Sequence, residues 1–283
     1  MLVSIAIACP LVFAAPAARA ATNVVPSLEP APTARVIPRW RAQAAAAQRF
    51  AVTRDGRVGW AVLDHRGLPV AGWRMHDRFQ SASVFKTMLA VCFLNDPGVR
   101  DRALTAAERS RLRAMITRSD DDAANATYGL VRQSCIRRLA RNVGMHGFRS
   151  DPHWGRTQIT PYGTANLFFR LDRRIAPRHR GEAMRWFRGV VPRQRWGFAQ
   201  VVPSGMAIAF KGGFAFSWGG GHTISQGALL SAPNGHRIAV SVLTNHSPTA
   251  AYGHATIEGI GARLLRGYRP QPPVPAFLPM PPS

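Results

Sequence analysis

Residues 57–73 read RVGWAVLDHRGLPVAGW. A short apolar run, a turn at Arg66-Gly67 and a second short run ending at Trp73 are the pattern of a β-hairpin. Strand composition returns only near the other end of the chain, in MAIAFKGG (206–213), TISQGALLSAP (223–233) and RIAVSVLTNH (237–246). Turn signals separate these stretches, notably Pro233-Asn234-Gly235. The sequence between the two sets of strands reads mostly as helix, with a break near 144–160 at Gly, Pro and Trp. Within it, LTAAERSRLRAMITRS carries Thr105 with Glu108 three residues on, a capping-box start. Residues 39–51 and HATIEGIGARLLRGY (254–268) read as terminal helices. The expected fold class is therefore α/β: an antiparallel sheet drawn from both chain ends, flanked by helices, with an inserted all-helical lobe. The α/β lobe spans 39–80 and 200–268, the helical lobe spans 81–199, and a cleft is expected where they meet.

A chain of 283 residues with 46% hydrophobic content can bury a sizeable core. Residues 1–20, MLVSIAIACPLVFAAPAARA, read as an export signal cut after Ala20. No basic residue precedes the apolar run, so the start codon is expected upstream. Residues 21–38 read as an Ala/Pro/Thr linker and 269–283 as an extended Pro-rich tail. The expected location is outside the cell or on the envelope of a bacterium. Cys9 leaves with the signal, and Cys92 and Cys135 either pair in an oxidising compartment or remain buried thiols. The nine histidines form no H-x-H or H-E-x-x-H pair, so no metal site and no cofactor are expected. The net charge of +23 comes without any zinc-finger or RRM signature, which argues against specific nucleic-acid binding. It fits attraction to anionic cell-wall polymers by a protein expected to act as a monomer.

Of 37 basic residues only Lys86 and Lys211 are lysine. Lys86 closes S-x-x-K with Ser83, in SASVFKTMLA (81–90). On a helix, positions i and i+3 share a face, so the amine is expected to reach the hydroxyl. Serine becomes a nucleophile when a base takes its proton. Lysine can be that base when its pKa is depressed, whereas arginine stays protonated. Alone this motif is weak and equally describes a solvated helix face. A second fragment, Ser119-Asp120-Asp121, offers a proton-relaying hydroxyl and a substrate-contacting side chain, or simply an acidic helix start. The third, Lys211-Gly212-Gly213, ends a strand with a cation for a substrate carboxylate and two small residues, or marks a strand-to-turn junction.

The order S-x-x-K, S-D-N-like, K-T-G-like resembles the active-site serine penicillin-recognising enzymes. Over roughly 40–268 the chain is most similar to class A β-lactamases, through RFQSASVFKTMLA, MITRSDDDAAN, the stretch KGG through GALLSAPNGHRIAVSVLTNH, and the closing helix ending GIGARLL. The resemblance implies a β-lactamase/transpeptidase-like fold. It implies Ser83 as acylated nucleophile, Lys86 as general base and Ser119 as proton donor to the leaving nitrogen. It also implies a substrate-binding set of Asp121, Asn125, Lys211, Gly212, Gly213 and Phe214, with the backbone N–H groups of Ser83 and Phe214 forming an oxyanion hole.

The chain departs from that family in several places. The loop SDPHWGRTQITPYGTANLFF (150–169) lacks the glutamate that activates water for deacylation, and Asp151 is its only carboxylate. Asp121 stands where the family has asparagine, Gly212 where it has a hydroxyl residue, and Gln226 near a common arginine. The segment between Ser83 and Ser119 is also short. A W-G-x-T loop with a K-G-G strand resembles exported actinobacterial-type members of the superfamily. The expected function is a serine hydrolase that forms an acyl-enzyme on Ser83 with β-lactam, peptidoglycan-type or related amide substrates, breaking cyclic amide C–N bonds and deacylating slowly. The alternative is a non-hydrolytic penicillin- or cell-wall-binding module on the same fold.

Overall fold

The computed structural model describes residues 38–270. The expected export signal, the linker up to residue 37 and the tail beyond residue 270 lie outside the described residues. Helix α1 (Pro38–Val52) leads into strands β1 (Arg57–Leu63) and β2 (Pro69–Trp73). Asp64 closes their turn, its Oδ1 accepting from the backbone N–H of Arg66 at 2.9 Å and of Leu68 at 3.0 Å. Strand β3 (Phe79–Gln80) and a 3-10 turn at Ala82–Phe85 then deliver helix α2 (Lys86–Leu94).

Four further elements carry the chain to the break anticipated near 144–160: α3 (Ala106–Thr117), α4 (Asp121–Leu130), α5 (Gln133–Asn142) and the short strand β4 (Gln158–Ile159). The capping box opening α3 is present, Thr105 accepting from the Glu108 N–H and Glu108 from the Thr105 N–H. Helices α6 (Pro161–Phe169), α7 (Leu171–Arg174) and α8 (Pro177–Arg188) follow, then strands β5 (Ala207–Phe216), β6 (His222–Ser231) and β7 (Arg237–Ser247), and helix α9 (Ala250–Leu264).

The five long strands form one antiparallel sheet in the order β2-β1-β7-β6-β5. The sheet from both chain ends is thus observed, and its seam is β1 against β7, with Trp60 opposite Val242 and Val62 opposite Val240. Alternate residues face opposite sides. Trp60, Val62, Val240 and Val242 join Ala47 of α1 and Ile257 and Ile260 of α9 in one buried core. On the other face Gly227 lies directly under Phe168 of α6, and Ser241 Oγ donates to the Pro161 carbonyl at 2.6 Å. Helix α6, inside the expected helical lobe, therefore packs directly on the sheet.

Two boundaries and one short ladder differ from the sequence reading. Strand β5 runs on to Phe216, and α9 starts at Ala250, where the Thr249 hydroxyl accepts from the Tyr252 N–H. The two-residue ladder β3–β4, pairing Phe79 with Ile159, is too short for any period to show in sequence.

Cys92 and Cys135 form a disulfide that ties α2 to α5 across 43 residues. Closing a loop of that length stabilises by about 4 kcal/mol in the chain-entropy account. Replacing both cysteines with serine is expected to lower the urea midpoint accordingly. An unchanged midpoint would show that the bridge contributes nothing.

Candidate active site

Ser83 sits in the 3-10 turn ahead of α2, and Lys86 is the first residue of that helix. The turn is held close to strand β5. A Cβ on Gly213 would stand 2.7 Å from the Ser83 amide nitrogen and 2.9 Å from that of Val84. Only glycine permits that approach. It brings the Ser83 N–H beside β5 one residue before Phe214, while the Val84 N–H is already committed to the Ser81 carbonyl at 3.2 Å.

Two non-glycine residues here have left-handed backbones, Ala82 at φ +45° and Ser119 at φ +58°. Such conformations cost on the order of 1–3 kcal/mol and persist where the surroundings dictate them. At Ser119 the outcome is visible. Its carbonyl accepts from Lys86 Nζ at 2.6 Å, and its hydroxyl lies 3.3 Å from the same amine and 2.8 Å from Lys211 Nζ. Both lysines of the chain thus meet on one hydroxyl.

Lys86 Nζ also donates to Asp121 Oδ1 at 2.5 Å. Lys86 is fully buried, whereas the Asp121 side chain is 72% exposed. Asp120 caps α4 by accepting from the Ala123 N–H at 2.8 Å, which places Asp121 at the helix start facing α2. Burial pushes the Lys86 pKa down, and the Asp121 carboxylate, hydrogen-bonded to it, pulls it back up. Lys211 is completely buried and also donates to the Gly212 carbonyl at 2.6 Å. Burial depresses its pKa well below the ordinary lysine value, and the Lys86 charge depresses it further.

Several expected contacts are rearranged. Lys86 was expected to reach the Ser83 hydroxyl along the helix. Its three donors instead go to Ser119 O, Ser119 Oγ and Asp121, and among the described residues no hydrogen bond joins it to Ser83. The carboxylate at 121 is the physical reason, because it holds the ammonium across the cleft. Asp121 was expected on substrate and is found on Lys86. Asn125 was also expected on substrate, but its Oδ1 accepts from the Trp154 indole N–H at 2.8 Å. Gly212 does not open onto free space: the ring of Trp196 stands 2.5 Å from where its Cβ would be. Lys211 is turned inward onto Ser119 rather than outward to a ligand. Phe214 is 48% exposed and stacks on His222.

Asp151 spends its Oδ1 on the His153 N–H at 2.8 Å, within its own loop, and hydrogen-bonds none of Ser83, Lys86 or Ser119. The position over Lys86 belongs instead to Trp154. Its ring centroid is 5.1 Å from Lys86 Nζ, and it stacks on Phe85 at 6.4 Å. Asp121, Asn125, Tyr128 and Trp154 line an open cavity of about 430 Å³ beside this cluster. The sequence reading missed Trp154 as a site residue, although a single indole in a polar loop was the available signal. Gln226, noted in the sequence only as standing near a common arginine of the family, is buried and anchors the preceding loop through the Phe198 N–H at 2.7 Å and the Trp196 carbonyl at 2.9 Å.

A depressed-pKa lysine, a bridging serine and a second serine at a strained turn are groups able to run acyl transfer. Residues 104–268 match the model of the beta-lactamase enzyme family, and the chain belongs to that family. The matched span includes Ser119 and Lys211, and Ser83 and Lys86 precede it. No curated protein matches the chain. Among solved structures, a β-lactamase from Xanthomonas campestris pv. campestris is similar with a TM-score of 0.66 at 21% identity, over 78% of this chain and 96% of that one. A reconstructed ancestral class A β-lactamase gives 0.65 at 22% identity, over 80% and 100%. A β-lactamase from Sphaerobacter thermophilus gives 0.65 at 20% identity, over 80% and 96%. At these identities the structures establish the β-lactamase fold.

The depressed Lys211 pKa has a stability consequence. The unfolded chain binds this proton more readily than the folded one, so folding gains as pH rises from the depressed folded value toward the unfolded lysine value of about 10.4. Lys211→Met removes this penalty. The variant is expected to melt higher than wild type at pH 7, with the gap narrowing by pH 10. A gap independent of pH would mean that Lys211 keeps its proton in the folded state.

Proposed function

We propose that this protein is a class A β-lactamase-like serine hydrolase that forms an acyl-enzyme on Ser83 and releases it slowly. The observation that carries the reading is the Ser119 hydroxyl held between two buried lysine amines beside the Ser83 turn. Ser83 Oγ attacks the amide carbonyl and its proton passes to Lys86 in the neutral form that burial favours. The Ser83 and Phe214 N–H groups take the developing oxyanion. Ser119 gives a proton to the leaving nitrogen as the C–N bond breaks, and is resupplied by the amines it touches. The substrate class is a β-lactam or a peptidoglycan-type amide. Slow release follows because Trp154, not a carboxylate, covers Lys86 and Asp151 is held in its own loop. The disulfide supports an exported protein.

Intact-mass spectrometry with excess benzylpenicillin tests this. Wild type is expected to gain a long-lived adduct and Ser83→Ala none. Rapid loss of the adduct with hydrolysed drug would overturn slow release, and absence of any adduct would remove β-lactams as substrates. The second reading, a wall-binding module without turnover, is favoured by one observation: the Lys86 donors are engaged away from Ser83. It predicts binding to wall material that survives Ser83→Ala and weakens with salt.

The Asp121 carboxylate favours the charged form of Lys86 against the effect of burial, so Asp121→Asn is expected to lower the Lys86 pKa further. The rising limb of the acylation rate against pH then moves to lower pH in this variant. An unmoved limb would show that Lys86 is not the base.

A further inference from the structure

A second cavity is larger than the one beside Lys86. It measures about 760 Å³ and lies on the far side of the 154–156 turn, whose Trp154 faces Lys86 while its Arg156 faces this cavity. Arg57, Arg78, Arg149 and Arg156 line it, against only two carboxylates, Asp77 and Asp151. Asp77 is taken by Arg57 at 2.7 Å. Asp151 Oδ1 is taken by the His153 N–H. Arg78, Arg149 and Arg156 form no ion pair among the described residues, and each is exposed. The backbones beneath them are fixed. The Arg78 carbonyl accepts from the Arg57 guanidinium at 2.9 Å, and Arg149 pairs with Gln158 through two backbone bonds of 2.9 and 3.2 Å. Trp218, 70% exposed, closes one wall under the Arg156 guanidinium at 5.4 Å.

We propose that this cavity binds a compact oligophosphate: two or more phosphate groups within a short span, free or at the end of a larger carrier. Guanidinium forks match phosphate oxygens bidentately. Three guanidinium groups without an ion pair line one concave site, where a multiply charged anion would offset their like charge. A concave wall also concentrates their field, which a scattered surface charge does not do. Phosphate in bulk solution would gain one such contact, whereas linked phosphates gain several at once. The site is independent of acylation at Ser83.

Isothermal titration with inorganic pyrophosphate, tripolyphosphate and single phosphate tests the assignment on the mature protein at low and high salt. Pyrophosphate and tripolyphosphate are expected to bind, more tightly than phosphate and more weakly in salt. The triple variant Arg78→Gln/Arg149→Gln/Arg156→Gln should lose affinity roughly tenfold or more. Arg113→Gln/Arg137→Gln/Arg138→Gln removes the same charge from exposed positions on α3 and α5 and should leave affinity within about twofold. Equal losses in both triple variants would reduce the effect to net charge and overturn the site, as would no binding of pyrophosphate to wild type. A glycerol-phosphate oligomer that competes with pyrophosphate would identify the carrier as a polymer, and failure to compete would identify a free oligophosphate. Penicillin labelling of the first triple variant should match wild type, separating failure of this site from failure at Ser83.

Discussion

One hydroxyl, that of Ser119, is shared by two buried amines, with the Asp121 carboxylate bonded to one of them. Two ammonium groups placed this close in a poorly solvated setting are costly unless one gives up its proton. Three elements build this junction. Helix α2 supplies Lys86, the edge strand β5 supplies Lys211, and the α3–α4 link supplies Ser119 and Asp121. The left-handed backbone at Ser119 is tolerated because it lets both the carbonyl and the hydroxyl meet Lys86.

The same constraint explains a compositional oddity. A chain with 35 arginines has two lysines, and both stand on Ser119. A buried guanidinium could not shed its charge there, whereas an amine can. Arginine elsewhere meets a different demand: its planar head stays hydrated or forked onto carboxylates, as Arg237 does on Asp172 and Arg102 on Glu108.

Much of the architecture was readable because it depends on local periodicity. The hairpin at 57–73, the capped start of α3 and the three returning strands each carry their own signal, and the sheet from both chain ends follows from their order. The candidate site was readable as residue types, not as contacts. Lys86, Ser119 and Lys211 meet in one hydrogen-bonded group with the Ser83 turn beside β5, yet the partner of Lys86 is not the serine three residues before it. Helical spacing describes only neighbours on α2, and Asp121 comes from another helix 35 residues away. Trp196 over Gly212 and Trp154 over Lys86 escaped notice for the same reason. Both sit in irregular loops, where no period reports which way an indole turns.

Asp121 changes what the cleft can offer. An amide in its place could donate toward a substrate carbonyl, whereas a carboxylate can only accept. Its Lys86-bound oxygen satisfies the amine, so its second oxygen presents negative charge at the mouth of the smaller cavity. Lys211 is buried behind Ser119, so the exposed charge at this mouth is that of Asp121. The counter-charge on this side of the molecule lies beyond the 154–156 turn, with Arg78, Arg149 and Arg156. The turn therefore divides the smaller cavity beside Lys86, with the Asp121 carboxylate on its lining, from a larger cavity lined by four arginines.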